Sequence, residues 1–161
     1  MPVKAQAGID IAASERAVWT VLADIGSWPT WNPAIRHAAC DDELELEVGT
    51  KFRFSTEIGT LKCRVTGVDA PYLLAWKGRV LFFGERQVWR LTSTETGTRI
   101  EVEAEMTGLG SWLFRRRLDE RLQRVMDALV QLMKLEAEAR AAEERADAAR
   151  AAQLEGRGED A

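Results

Sequence analysis

The sequence predicts an α+β fold: one twisted antiparallel sheet of seven strands wrapped around a long C-terminal helix, with an apolar cavity between them. Two observations carry this. Three segments alternate apolar and polar residues strictly, the pattern of strands with one buried face. Toward the C-terminus Leu118, Leu122, Val125, Leu129 and Leu132 recur at spacings of four and three, flanked by Met126, Val130 and Met133. That stripe is broad enough to cover a sheet. Sheets wet on one side are usually antiparallel. A concave sheet and a wide helix need not fill the space they enclose, so a ligand cavity is expected there.

The elements follow in order. Val3, Ala5, Ala7, Ile9 and Ile11 alternate with Lys4, Gln6, Gly8 and Asp10, giving the first strand. Ser14 is the expected N-cap of a helix over 15–24, with Glu15 favourably placed at its positive end. Val18, Val21, Leu22 and Ile25 form its apolar face, with Trp19 beside it. Pro29 and Pro33 limit any following helix to about one turn. Strands are expected at about 34–41 and 50–57. The alternation of Leu61, Cys63 and Val65 with Lys62, Arg64 and Thr66 marks another. Two more are expected at about 72–79 and 84–94, and Ile100, Val102, Ala104 and Met106 alternate with charged residues in the last. Gly-Thr recurs at 49–50, 59–60 and 97–98, each time before a β-like run. Glycine supplies turn dihedrals and threonine favours the strand that follows.

The long helix is expected to begin near Gly110-Ser111, and its apolar stripe to stop at Leu135. The chain thus divides into a domain over 1–138 and an Ala/Glu/Arg-rich tail over 139–161. Ten Ala fall within 136–161, with Glu136/Arg140 and Asp147/Arg150 at helical pair spacing. Propensity carries the helix as a solvated rod to about Arg150, with fraying and a disordered Gly156-Arg157-Gly158 beyond it. The tail reads either as a passive solubilising segment or as a partner-binding or self-associating helix.

Charge narrows the function. The 161 residues hold 22 Lys and Arg against 26 Asp and Glu, a net charge of −4. Residues 136–161 contain eight acids and four arginines, so the whole imbalance lies in the tail and the body is neutral. A neutral body argues against nucleic-acid binding, which needs a basic excess. One His and two Cys cannot close a zinc site of ordinary spacing. No metal or other cofactor is expected. Two lone thiols, Cys40 and Cys63, suit a reducing compartment. Met1 to Glu15 has no apolar run of signal-peptide length, and no stretch approaches a membrane span. The expected location is cytoplasmic, without stable membrane insertion.

Several motifs then occur in a telling order: Ile9-Asp10-Ile11-Ala12-Ala13-Ser14-Glu15 leading to Val18-Trp19; Asp24-Ile25 with Trp28-Pro29 and Trp31-Asn32-Pro33; Gly49-Thr50-Lys51-Phe52; Gly84-Glu85 with Trp89 and Leu91; Gly97-Thr98-Arg99; and the amphipathic helix. Over about residues 3–138 the chain resembles the START-like (SRPBCC) helix-grip superfamily, in particular its bacterial polyketide cyclase/dehydrase-type branch. The resemblance implies a seven-stranded sheet gripping the C-terminal helix around a deep apolar pocket. That superfamily includes lipid and hormone binders and aromatase/cyclases. The polar catalytic set of the aromatase/cyclases has no residue-by-residue match here.

Chemistry is expected on one strand. If Arg86 and Arg90 face water, alternation turns Phe83, Glu85, Gln87, Trp89 and Leu91 toward the helix. An acid and an amide then stand on an apolar face, where each needs a partner. A carboxyl there has a raised pKa and can serve as general acid or base, or donate to a ligand carbonyl. The plain alternative is a Glu85 at the strand end that reaches solvent. Trp28, Trp31, Phe52, Phe54, Trp76 and Trp89 fall on inward or helix-proximal positions and suit flat apolar ligands, as they also suit any core. Cys63, Met106, Met126 and Met133 complete the candidate lining. Buried Cys63 would be inert as a nucleophile. His37 stands alone, as an ordinary strand residue. Trp112-Leu113-Phe114 before Arg115-Arg116-Arg117 suggests buried aromatics in a solvated first turn rather than a membrane contact.

Two functions are therefore carried forward. One is binding of a hydrophobic small molecule of lipid, polyketide or isoprenoid-like type. The other is a polyketide cyclase/dehydratase-type enzyme, working by orientation in the cavity with Glu85 or Gln87 handling protons. A cavity of a few hundred cubic ångströms holding both side chains favours catalysis; a purely apolar one favours carriage.

Overall fold

A computed structural model describes residues 2–41, 45–108 and 115–158. The seven strands are β1 (Val3–Ile11), β2 (His37–Cys40), β3 (Lys51–Thr56), β4 (Gly59–Asp69), β5 (Leu73–Val80), β6 (Phe83–Thr94) and β7 (Gly97–Gly108). They form one antiparallel sheet in the order β1-β7-β6-β5-β4-β3-β2. Helices α1 (Glu15–Ala23) and α2 (Trp28–Trp31), joined by a 3-10 turn at Ile25–Ser27, connect β1 to β2. Helix α3 spans Arg115–Gly158. The sheet and the long helix are thus those the residue patterns predict.

Local chemistry explains the boundaries. Ser14 Oγ accepts from Ala17 N at 3.2 Å, the expected cap, and Val18, Val21 and Leu22 are buried beneath it. α2 lasts one turn, with a proline near its start and Asn32, in extended conformation, at its end. Strand β2 is shorter than expected, since the segment after Pro33 turns before it pairs: Ile35 N bonds back to Asn32 O at 3.1 Å.

Helix α3 lies along the edge strand β1 and satisfies its outward backbone groups. Gln123 accepts from Gln6 N at 3.2 Å and donates to Gln6 O at 2.6 Å. Lys134 Nζ donates to Asp10 O at 2.8 Å, and Glu138 accepts from Ala12 N at 2.9 Å. An open strand edge invites pairing with another chain; here helix side chains occupy it. The Lys134 ammonium and the Ala12 N–H also hold the Glu138 carboxyl below its ordinary pKa.

The helix is rotated from the expected register. Its buried line is Leu122, Met126, Val130, Met133, Ala137 and Ala141, whereas Val125, placed on the stripe by spacing, is 48% exposed. Leaning on β1 leaves the Leu118, Val125 and Leu129 side on the concave space, with Leu122, Met126 and Met133 of the buried line also reaching it. The apolar line also runs past Leu135, because Ala137 and Ala141 pack closely. Arg140, braced by Glu136 at 2.6 Å, approaches Ser27 Oγ at 3.4 Å. Beyond Ala141 the described side chains are exposed, yet the helix continues to Gly158, past the fraying expected after Arg150. The start expected near Gly110-Ser111 and the Trp112–Phe114 cluster lie outside the described residues. Among the described residues, no helix is long and apolar enough to cross a membrane.

Candidate functional site

Between the concave sheet face and α3 lies a cavity of about 680 Å³. Its floor is β6. Glu85, Gln87 and Trp89 all point inward, while Arg86 and Arg90 face water, as the alternation predicts. The three side chains form a line: Trp89 Nε1 donates to Gln87 Oε1 at 3.0 Å, and Gln87 Nε2 donates to Glu85 Oε1. The chain of donors ends on the carboxyl. Its other oxygen makes no hydrogen bond among the described residues.

Register explains the room for Glu85. Cys63, Gly78, Glu85 and Met106 are cross-strand neighbours in one row over β4, β5, β6 and β7. Gly78 contributes no side chain; a Cβ there would lie 2.5 Å from Cys63 Sγ. Glu85 keeps some accessible surface, as a residue lining a cavity does, but the surrounding walls are apolar. Burial pushes its carboxyl above the ordinary carboxylate range, and the Gln87 bond only partly offsets this. The neutral acid is the form this environment favours.

The remaining predicted residues separate. Trp28, Trp31, Phe54, Trp76, Met106, Met126 and Met133 line the cavity along with Glu85, Gln87 and Trp89. Phe52 and Cys63 do not. Phe52 supports the wall from behind, edge-on to Trp28 at 5.8 Å and to Trp76 at 5.7 Å. Cys63 is packed under Gly78, and burial first, then the Glu85 charge, pushes its thiol up to about 12. The native protein should therefore leave Cys63 unlabelled by a thiol reagent at pH 8, and modify it only in denaturant. Labelling of native Cys63 as fast as an exposed thiol would refute this packing.

Two indoles are satisfied and two are not. Trp28 Nε1 donates to Leu22 O at 3.0 Å and Trp89 Nε1 to Gln87. Trp31 Nε1 and Trp76 Nε1 are buried without a partner among the described residues. Buried donors are nearly always paired, so both mark places where the wall is polar without internal compensation.

Several lining residues escaped sequence reasoning. Asn32, Ile35 and Arg36 enter from the α2–β2 connection, and Glu57 and Ile58 from the β3–β4 turn. Arg121 Nη2 meets Glu57 Oε1 at 2.7 Å, joining α3 to that turn across the rim. Charge type alone could not pair residues 64 apart in sequence. His37 is exposed on β2 and is not a lining residue. Among the described residues, no group of three His, Cys, Asp or Glu could hold a metal ion.

Comparison with known proteins agrees with this architecture. A family profile described as polyketide cyclase / dehydrase and lipid transport matches residues 2–138. The search of curated proteins returns no match. The Zhui aromatase/cyclase from Streptomyces sp. R1128 superposes with a TM-score of 0.72 at 18% identity, covering 87% of this chain and 96% of that one. A START superfamily protein from Mycobacterium smegmatis gives 0.65 at 14% identity, covering 87% and 97%. The di-domain aromatase/cyclase StfQ of the steffimycin pathway gives 0.66 at 20% identity over 91% of this chain. The chain spans about half of that protein, 52%. At these identities the solved structures establish a shared fold. The profile covers most of the sequence and every element of the cavity up to Glu138, and the chain belongs to the polyketide cyclase / dehydrase and lipid transport family.

Proposed function

We propose that the cavity binds a hydrophobic small molecule, of lipid, polyketide or isoprenoid-like type, that carries a carbonyl or similar acceptor. One observation supports this above the rest: a mostly apolar space of about 680 Å³ whose β6 floor carries a polar line ending on a carboxyl that burial biases toward its neutral form. Apolar burial supplies affinity, at about 25 cal/mol per Å² before the costs of association. The neutral Glu85 carboxyl supplies orientation by donating to the acceptor. The family's description, polyketide cyclase / dehydrase and lipid transport, makes a polyketide or a lipid the leading candidate class.

A second reading, cyclase or dehydratase-type chemistry on that ligand, has a specific observation in its favour. Both Glu85 and Gln87 line the cavity, the arrangement that separates catalysis from carriage on the sequence reasoning. No Ser, Cys or His is among the described lining residues, and Thr56, Glu57 and Glu85 are the nucleophile-bearing side chains there. The chemistry invoked is orientation of a folded chain and proton transfer at Glu85.

Binding is tested by organic extraction of the purified protein with mass spectrometry, then titration of the delipidated protein with fatty acyl and aromatic polyketone probes. Trp28, Trp31, Trp76 and Trp89 line the cavity, so occupancy should shift tryptophan emission. A saturable shift by either probe class supports the reading. No extracted compound and no shift with either class would overturn it.

A further inference from the structure

The outer face of the sheet carries charge that the net balance conceals. Lys51, Arg64, Lys77 and Arg86 are consecutive cross-strand neighbours over β3, β4, β5 and β6. Arg53, Lys62 and Arg79 form a second row beside them. Directly paired residues share a face, and residues two apart on one strand share it too, so all seven cations project together. All seven are exposed. Strands lie about 4.8 Å apart and same-face residues roughly 6.6 Å, so the cluster is dense. Like charges directly opposite destabilise a sheet. Among the described residues, acids stand only at its margins: Asp41 pairs with Arg53 at 3.3 Å, and Glu105, opposite Arg86, lies 3.8 Å from Lys4. Lys62, Arg64, Lys77, Arg79 and Arg86 make no ion pair among the described residues.

An apolar tip adjoins this face. Val80 pairs with Phe83, so β5 and β6 are joined by a two-residue turn, Leu81-Phe82. Leu81 is 81% exposed and Phe82 75%. Leu81 also holds a φ of 51°, a conformation that favours glycine. Neither hydration nor backbone geometry accounts for leucine there. The row Arg53-Lys62-Arg79 is the one nearest this tip. Ile58, in the neighbouring β3–β4 turn at the same end, is 48% exposed, and both Ile58 and Leu81 line the cavity rim.

We propose that the protein docks peripherally on an anionic lipid surface, with the Leu81-Phe82 tip entering the interface and the two cation rows facing the headgroups. Reversible interfacial binding takes two signals, an apolar anchor and a basic patch, and here they are contiguous. Among the described residues no exposed aromatic stands between the two cation rows to stack bases, Phe82 lying beyond their end, which disfavours a single-stranded nucleic acid as the occupant. Docking in this pose brings the cavity rim to the lipid, and it stands independently of what fills the cavity.

The test is co-sedimentation of the full chain with phosphatidylcholine vesicles, with and without phosphatidylglycerol, at low and high salt. Binding is expected only with phosphatidylglycerol and should weaken with salt. The double variant Lys62→Glu/Arg79→Glu should lose about tenfold or more in vesicle affinity. Leu81→Gly/Phe82→Ser restores the residues such a turn prefers, so thermal stability should hold or rise while vesicle affinity falls about tenfold or more. Equal binding to neutral vesicles, undiminished binding by either variant, or binding of an oligonucleotide but no vesicle would overturn the proposal. Cavity occupancy, read by tryptophan emission without vesicles, should be unchanged in Lys62→Glu/Arg79→Glu, which keeps a failure of docking separate from a failure of ligand binding.

Discussion

Gly97→Ala lowers stability by about 3–5 kcal/mol, more than an added methyl costs at any glycine constrained only by its own dihedrals. A Cβ at position 97 would lie 2.1 Å from Ile11 O and 3.1 Å from both Ala12 Cα and Ala13 N, all backbone atoms that cannot step aside. The residue also holds a φ of 155°. Next to it Thr98, fully buried, donates from Oγ1 to Ala13 O at 2.8 Å. Gly97 and Thr98 therefore seat the corner between β1 and α1, and α1 carries Leu22 to the cavity wall. The control is Gly49→Ala. Gly49 has a φ of 100° but nothing within 4 Å of its missing Cβ, so strain alone applies, about 1–2 kcal/mol. Urea unfolding of both variants reads the difference. A Gly97→Ala cost within about 1 kcal/mol of the Gly49→Ala cost would mean that the corner yields and the packing argument is wrong.

The same pair of residues shows what the sequence discloses. Gly97-Thr98 is legible as a turn before a strand, because glycine and threonine have those local preferences. Its role as the seat for residues 11–13 depends on β7 pairing with β1 across the chain, which no local pattern encodes. Face assignment by alternation is similarly robust: Arg86 and Arg90 outward fixes Glu85, Gln87 and Trp89 inward. Alternation says nothing of depth along the strand, however. Phe52 and Cys63 share the inward face with Phe54 and Leu61, yet only the latter pair reach the cavity. The helix register fails for a related reason. An apolar stripe as wide as 118–135 admits several rotations, and the one chosen follows from hydrogen bonds between Gln123, Lys134 and Glu138 and the open edge of β1. The buried Ala137 and Ala141 were hidden among the alanines that mark a solvated rod. Of the seven outward cations, alternation set Lys62, Arg64 and Arg86 on the wet face, but their union with Lys51, Arg53, Lys77 and Arg79 into two rows needed the register of four strands.

Glu85→Gln should stabilise the protein above neutral pH, and this result bears directly on function. The folded state holds the Glu85 carboxyl above the ordinary carboxylate range, with burial as the dominant cause. A folded pKa raised above the unfolded one means that stability is fully present below about 4.5 and declines as pH rises through the folded value. Glutamine has no proton to lose and keeps the oxygen that accepts from Gln87. Wild type and variant should thus melt alike near pH 4 and diverge as pH rises, the variant melting at the higher temperature by pH 8. Parallel melting curves across that range would show that the carboxyl is solvated and its pKa ordinary. The amide can still donate to a carbonyl oxygen but cannot transfer a proton, so the variant divides the two functions. Carriage predicts probe affinity within about twofold of wild type, now without the loss that ionised Glu85 imposes as pH rises. Chemistry predicts the same affinity with turnover of a poly-β-keto substrate lower by about tenfold or more. Unchanged turnover would remove Glu85 from any mechanism, and lost affinity would show that the carboxyl itself, not merely a donor at that point, is what the ligand requires.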